Sequence, residues 1–273
     1  MNELKERFPA FWQASGAYLR RAIYARTDLE TEVPVGGSRL GGVPDFPAEL
    51  QWFCRDSGRP LSFLGQINLQ EVSPLDEAHE LPDRGLLYFF YDYSQEDGGM
   101  PWGFDPADRD GFRAYWYDGP MDALSPRQAP EDLDEELIFP QAALQFSAGE
   151  ELPDPDSDLL LTADLPDEET EDFFDYLDEI EEPGTKLLGH ARCQQYGMEL
   201  QCASVTQGNY LGNGENFLSN PELAKPWRLL FQLDSEDDAN MMWGDCGMLY
   251  FWMRQEDLQA RRFDRAWMIL QCG

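Results

Sequence analysis

The sequence predicts an α+β fold: two tandem copies of a helix plus antiparallel-strand unit, packed with pseudo-twofold symmetry into one domain. Three observations predict it. The second half of the chain repeats the motif order of the first. Its strand-like runs are short, rich in aromatic and branched residues, and bounded by turn residues. Each set of runs follows a segment with helical spacing of apolar residues. One strand trio exposes an apolar face that a second copy could cover. The expected boundaries within a single domain of residues 1–273 are unit A at about 1–120, an acidic insert and helix at about 131–182, and unit B at about 164–273.

In order, a helix is expected from Asn2 to about Arg26, with Leu4, Phe8, Phe11, Trp12, Leu19, Ile23 and Tyr24 near helical spacing. Pro9 and Gly16 leave room for a kink or a late start. The glycine-rich stretch Pro34–Pro44 lacks both the P-loop lysine and the dinucleotide pattern, so a close-packed loop is expected. Strands are expected at Leu61–Leu69, Gly85–Tyr91 and Phe112–Tyr117, with a long loop from Asp92 to Gly111. Residues 131–182 hold 21 acidic residues and no Lys or Arg. Within them, Phe173, Phe174, Leu177 and Ile180 form the apolar stripe of an acidic helix over Pro166–Glu182. Pro183 and Gly184 end it.

The second set then follows. Thr185–His190 (TKLLGH) echoes Gly37–Gly42 (GSRLGG), and Trp227–Ser235 (WRLLFQLDS) echoes Leu61–Leu69 (LSFLGQINL), placing Gln232 where Gln66 stands. Asp245–Trp252 (DCGMLYFW) echoes Asp83–Phe90 (DRGLLYFF), and Phe263–Gln271 echoes Phe112–Asp118. The spacing between the last two runs is longer in the first set, which fits an inserted loop around Gly98–Phe104.

Composition narrows the function. The formal net charge is −33, which repels phosphate backbones and argues against nucleic-acid binding. Forty-two per cent hydrophobic residues are enough for a real core. No run approaches the roughly 18 apolar residues of a membrane span, and the start of the chain lacks a signal-peptide core, so no membrane partner and a cytoplasmic location are expected. Five cysteines without a CxxC or Cys/His cluster fit free thiols in a reducing compartment.

The motifs at 41–44 (GGVP), 60–69 (PLSFLGQINL), 85–90 (GLLYFF), 229–235 (LLFQLDS) and 242–252 (MWGDCGMLYFW) resemble the YwqG family, a bacterial family of unknown function. The resemblance runs from about Gly36 to the end and leaves out the acidic stretch 131–182. It implies a duplicated α+β fold and a distant likeness to eukaryotic programmed-cell-death-type proteins that escort a nascent ribosomal protein. Some members are thought to lie near polymorphic toxin genes, which implies an immunity role. The resemblance carries over no catalytic residue.

Catalytic signals are weak in the residues themselves. His79 lies in a polar loop and reads as a surface residue, and no Gly-x-Ser-x-Gly nucleophile motif occurs. The turn from Asp234 to Asn240 is acidic, but Ala239 stands where a calcium loop turns on glycine, and Asp245 where it uses glutamate. No metal site and no cofactor are therefore expected. The polar residues tied to the repeated motifs, Gln66, Gln232, Asp234, Asp245 and His190, are the candidates for a binding surface. The expected function is a non-enzymatic protein that engages a basic protein or peptide. The alternative is an enzyme or small-ligand receptor using a cleft between the two repeats.

Overall fold

The computed structural model describes residues 2–94, 99–180, 182–212 and 220–273. Twelve strands form within them: β1 (Arg20–Asp28), β2 (Arg39–Leu40), β3 (Asp45–Pro47), β4 (Ser62–Asn68), β5 (Leu86–Tyr91), β6 (Phe112–Tyr117), β7 (Leu124–Pro126), β8 (Ala142–Glu151), β9 (Lys186–Leu188), β10 (Trp227–Asp234), β11 (Met248–Arg254) and β12 (Trp267–Gln271). Ten of these make one antiparallel sheet in the order β12-β11-β10-β9-β1-β8-β2-β4-β5-β6, and β3 pairs with β7. The helices are few and short: α1 (Asn2–Arg7), α2 (Pro9–Ser15), α3 (Leu69–Val72), α4 (Asp167–Glu179), α5 (Glu199–Val205) and α6 (Gln255–Gln259).

This architecture overturns the expected α+β tandem of helix-plus-strand units. The protein is mostly antiparallel sheet, curled into a nearly closed, barrel-like form. Two elements account for the correction. The opening helix stops at Ser15, and Arg20–Asp28 becomes a strand at the middle of the sheet. Its Ala22-Ile23-Tyr24-Ala25 run is buried on both faces, which hides the alternation that marks a half-exposed strand. The acidic stretch then supplies β8, which pairs with β1 over nine residues, from Arg20 with Glu151 to Asp28 with Ala143. α1, α2 and α4 do not head equal units. They pack on one another in a separate cluster where Phe11 stacks on Phe173 at 4.0 Å and Phe8 meets it edge-on at 5.0 Å.

The expected strands near 61–69, 85–91, 112–117, 227–235, 245–252 and 263–271 are all present, most of them shortened at one or both ends, with β11 running on to Arg254. All six side chains of β5 are buried, and they alternate. Leu87, Phe89 and Tyr91 enter the main core, whereas Leu86, Tyr88 and Phe90 pack on Phe46, Leu61 and Phe63. Phe89 stacks on Phe231 of β10 at 4.3 Å, so the two outer parts of the sheet face each other across the core. Phe112 of β6 meets Trp267 of β12 at 5.2 Å, which brings the two sheet edges together.

The segment around Gly103 sits at this seam. Gly98, the start of the expected insertion, lies outside the described residues. Leu270 N–H donates to the Trp102 carbonyl at 3.3 Å, and Trp267 Nε1 to the Gly103 carbonyl at 3.2 Å. Gly103 has φ of +81°, and a Cβ there would stand 2.2 Å from the Met268 carbonyl oxygen. Only glycine allows this approach, through which the loop covers the edge of β12. The Pro34–Pro44 segment, expected as a loop, instead carries β2 between β8 and β4, and it is close-packed: a Cβ on Gly41 (φ +58°) would lie 2.0 Å from the Pro140 carbonyl oxygen.

Candidate functional site

A cavity of about 100 Å³ opens between α4, the middle of β1 at Tyr24, the end of β8 and the start of β9. Phe173, Tyr176, Leu177 and Ile180 give it an apolar wall, and Glu150, Glu151, Asp154 and Glu182 give it carboxylates. β1 and β9 run antiparallel with Tyr24 opposite Lys186, while Glu151 at the end of β8 stands opposite Arg20 and reaches both diagonally through its side chain. Lys186 Nζ lies 2.7 Å from Glu151 Oε1, and both side chains are largely buried. The other oxygen, Oε2, accepts the His190 backbone N–H at 2.9 Å. Gly189 turns the chain with φ of +71°, and a Cβ on it would meet that same oxygen at 2.4 Å. Burial, and then the neighbouring Glu151 carboxylate, push the Tyr24 hydroxyl up, so it stays protonated.

His190 lines this cavity, but its ring is committed. Nε2 donates to the Tyr18 carbonyl at 2.6 Å. Burial, followed by the positive charge of Arg20, holds its pKa well below the ordinary 6.5. A neutral, backbone-bonded imidazole is a poor proton shuttle. Gln232 also faces the cavity and is 1 % exposed. Its Oε1 accepts the Arg192 N–H at 2.9 Å, and its Nε2 donates to the Gly184 carbonyl at 2.6 Å.

The remaining candidates lie elsewhere. Gln66 is fully buried in β4, where Oε1 accepts the Asp45 N–H at 3.0 Å and Nε2 donates to the Gly37 carbonyl at 2.9 Å. The two glutamines thus do the same job at two places: each ties one backbone donor and one backbone acceptor to its strand. Tyr88 and Tyr250 add a matching pair, donating to the carbonyls of Asp45 and Arg192. Asp234 caps its own turn by accepting the Ser235 N–H at 2.8 Å, and Asp245 is exposed in the turn before β11. So the structure brings together His190 and Gln232, and separates Gln66 and Asp245 from them.

The acidic turn after β10 spends its carboxylates on separate neighbours. Glu236 Oε1 accepts from Thr185 Oγ1 at 2.6 Å, and Asp238 Oδ2 from Thr27 Oγ1 at 2.7 Å. Among the described residues, no group of three or more His, Cys, Asp or Glu side chains is placed to hold a metal ion.

α4 is fixed from both ends. Glu169 Oε1 accepts the Phe11 N–H at 2.5 Å, satisfying a free donor in the first turn of α2. Asp178 and Glu179 sit unfavourably in the last turn, against the helix dipole. Arg192 offsets this: Nη1 donates to the Leu177 carbonyl at 2.7 Å and Nη2 to Asp178 at 2.5 Å. Glu168, Glu171, Asp172, Asp175, Asp178 and Glu179 remain exposed along the outer face.

Several polar groups escaped the sequence reading. Glu151 and Asp154 carry no local motif, Lys186 lies in the repeated TKLLGH segment without being singled out there, and only the fold brings Glu151 to Lys186. Asp154, at the cavity wall, is pushed up to about 6 by burial, although it accepts the Asp156 and Cys193 N–H groups.

The fold and site define a mostly antiparallel β protein with an acid-lined, partly apolar cavity beneath a docked acidic helix. Residues 38–272 match the model of a domain of unknown function, DUF1963, and the chain belongs to that family. No curated protein matches it.

Proposed function

We propose that this chain is a binding protein that receives a basic segment of another protein along α4 and the mouth of the adjacent cavity. One observation carries the reading. α4 is held inward by Phe173 and by Arg192, and it turns a row of carboxylates outward beside an apolar wall rimmed by Glu150 and Glu182. Lysine and arginine side chains suit such a surface, because their aliphatic stems cover apolar area while the charged ends stay at the carboxylates. The net charge of −33 would attract such a partner from a distance and make association salt-sensitive.

The YwqG resemblance supports a binding role of the immunity or escort-chaperone type. A cytoplasmic setting agrees with this reading. Among the described residues, no helix is long and apolar enough to cross a membrane.

The test is capture of partners from native lysate at low and high salt, with wild type and a variant carrying E168Q, E171Q, D172N and D175N. A basic partner recovered at low salt, and lost in the variant, is the expected outcome. Equal recovery by both proteins would reject the α4 surface. The alternative reading, a small-ligand receptor or enzyme at the cavity, rests on Gln232 and His190 in its wall. It predicts that Q232E disturbs ligand binding without loss of folding, whereas the backbone role of Gln232 predicts loss of folding.

A further inference from the structure

A second cavity, of about 550 Å³, is of opposite character. Its walls come from Ala17–Arg20 at the start of β1, from Ala78–Glu80, from Arg228 on β10, and from Gln255, Leu258 and Arg261 around α6. Three arginines and one glutamate line it, a balance of +3 − 1 = +2 in a chain whose net charge is −33. Among the described residues, none of the three arginines lies within 4.0 Å of a carboxylate. Carboxylates outnumber cations by 53 to 20, so arginines left without one in a shared cavity call for an explanation.

Two of them are pinned to backbone. Arg228 Nη1 donates to the Lys225 and Trp227 carbonyls, and Nη2 to Gln255 Oε1. Arg261 donates to the Glu80 carbonyl and, at 3.5 Å, to that of His79. His79 and Arg261 both hold left-handed backbone, with φ of +51° and +59°, on the two walls that this contact joins. Such conformations cost of order 1 kcal/mol or more and gather at binding sites. Arg20 differs: its guanidinium makes no hydrogen bond to a described side chain or carbonyl. Burial, and next the like charge of Arg228, lower its pKa to about 10. The Glu199 and Glu80 carboxylates offset this only in part, and a half-buried cation that faces another cation without a contacting carboxylate is unfavourable unless a further anion is present.

We infer that this cavity is a binding site for a small phosphate monoester, with Arg20 as the free guanidinium and Arg228 and Arg261 as its fixed companions. A phosphate monoester carries close to two negative charges at pH 7, which balances the lining. Planar guanidinium forks match phosphate oxygens geometrically. The volume exceeds what inorganic phosphate fills, and Leu19, Ala78 and Leu258 provide apolar wall for an organic remainder. The site is separate from the α4 surface, and its test does not depend on it.

Isothermal titration of the full chain at constant ionic strength would use inorganic phosphate, glucose 6-phosphate and adenosine 5′-monophosphate, with malonate as a carboxylate dianion. Saturable binding of a monoester is expected, tighter than phosphate and malonate. R20Q should weaken it at least about tenfold, while the ligand-free variant melts close to wild type, since Arg20 loses no hydrogen bond or close ion pair and only the more distant attraction of Glu199 and Glu80. R84Q, which removes an equal charge from an exposed site, should bind as wild type. Three results would overturn the assignment: no heat with any phosphate up to about 20 mM, weaker than the usual range for a built site; equal binding by R20Q; or equal loss in R84Q.

Discussion

Glu151 shows how one side chain can organise a site. It neutralises Lys186, orders the turn at His190 through a backbone N–H, and neighbours Tyr24. Removing one member of a buried pair leaves an uncompensated charge, so K186M should destabilise the protein by about 3 kcal/mol in denaturant unfolding. A cost below about 1 kcal/mol would place the pair among weak surface bridges. Asp158 offers a pH test at the same scale. Burial, and then the Glu199 carboxylate, raise it from 3.8 to about 7. A raised folded-state pKa means that its favourable contribution is complete below the unfolded value near 4. That contribution is lost as pH rises through about 7. The melting temperature of D158N should therefore gain on wild type between pH 5 and pH 8, and a constant difference would contradict the assignment. Among residues, Gln66 and Gln232 were legible because they recur at one place in matched motifs. Glu151 and Lys186 were not, because 35 positions separate them and the TKLLGH motif that holds Lys186 does not show its partner.

At the scale of elements, the short aromatic strands were readable from their turn-bounded runs, and α4 from its apolar stripe. β1 and β8 were not. Buried in the middle of a sheet, β1 shows a continuous apolar run that also satisfies helical spacing. β8 has an outward-facing half rich in Gln, Ser and Glu, and its identity as a strand depends on nine pairings with β1. The docking of α4 follows from Phe173, which two rings of α2 and its approach enclose. F173A should cost about 3–5 kcal/mol if α4 unfolds with the whole. If α4 instead detaches alone, limited proteolysis should cut selectively within 161–180 while the sheet stays protected. No change in either stability or proteolysis would mean that the helix is held by other contacts.

For the molecule as a whole, charge and shape act together. The sheet curls until Phe89 reaches Phe231 and Phe112 reaches Trp267, leaving most polar function to the ends of strands and to loops. There the charge separates: carboxylates gather on α4 and the turn after β10, and arginines without a contacting carboxylate gather in the cavity between β1, β10 and α6. The resulting field should make encounter with a cationic partner fall steeply with ionic strength, whereas the shielded arginine cavity should respond less. Comparing the two salt dependences on the same preparation checks this division. A common slope would show one diffuse field in place of two distinct surfaces.

By itself the sequence determined the six aromatic strands, the acidic helix, the paired glutamines and the excess of negative charge. These are properties of local pattern, motif recurrence and composition. Only the tertiary structure decided that the opening segment changes from helix to strand, that the acidic stretch supplies a central strand, and that arginines from positions 20, 228 and 261 share a cavity. The physical reason is that strand pairing and charge neighbourhood depend on residues distant in the chain. A strand in the middle of a sheet is specified by its partners, and a cation is neutralised or left free by whatever the fold brings beside it.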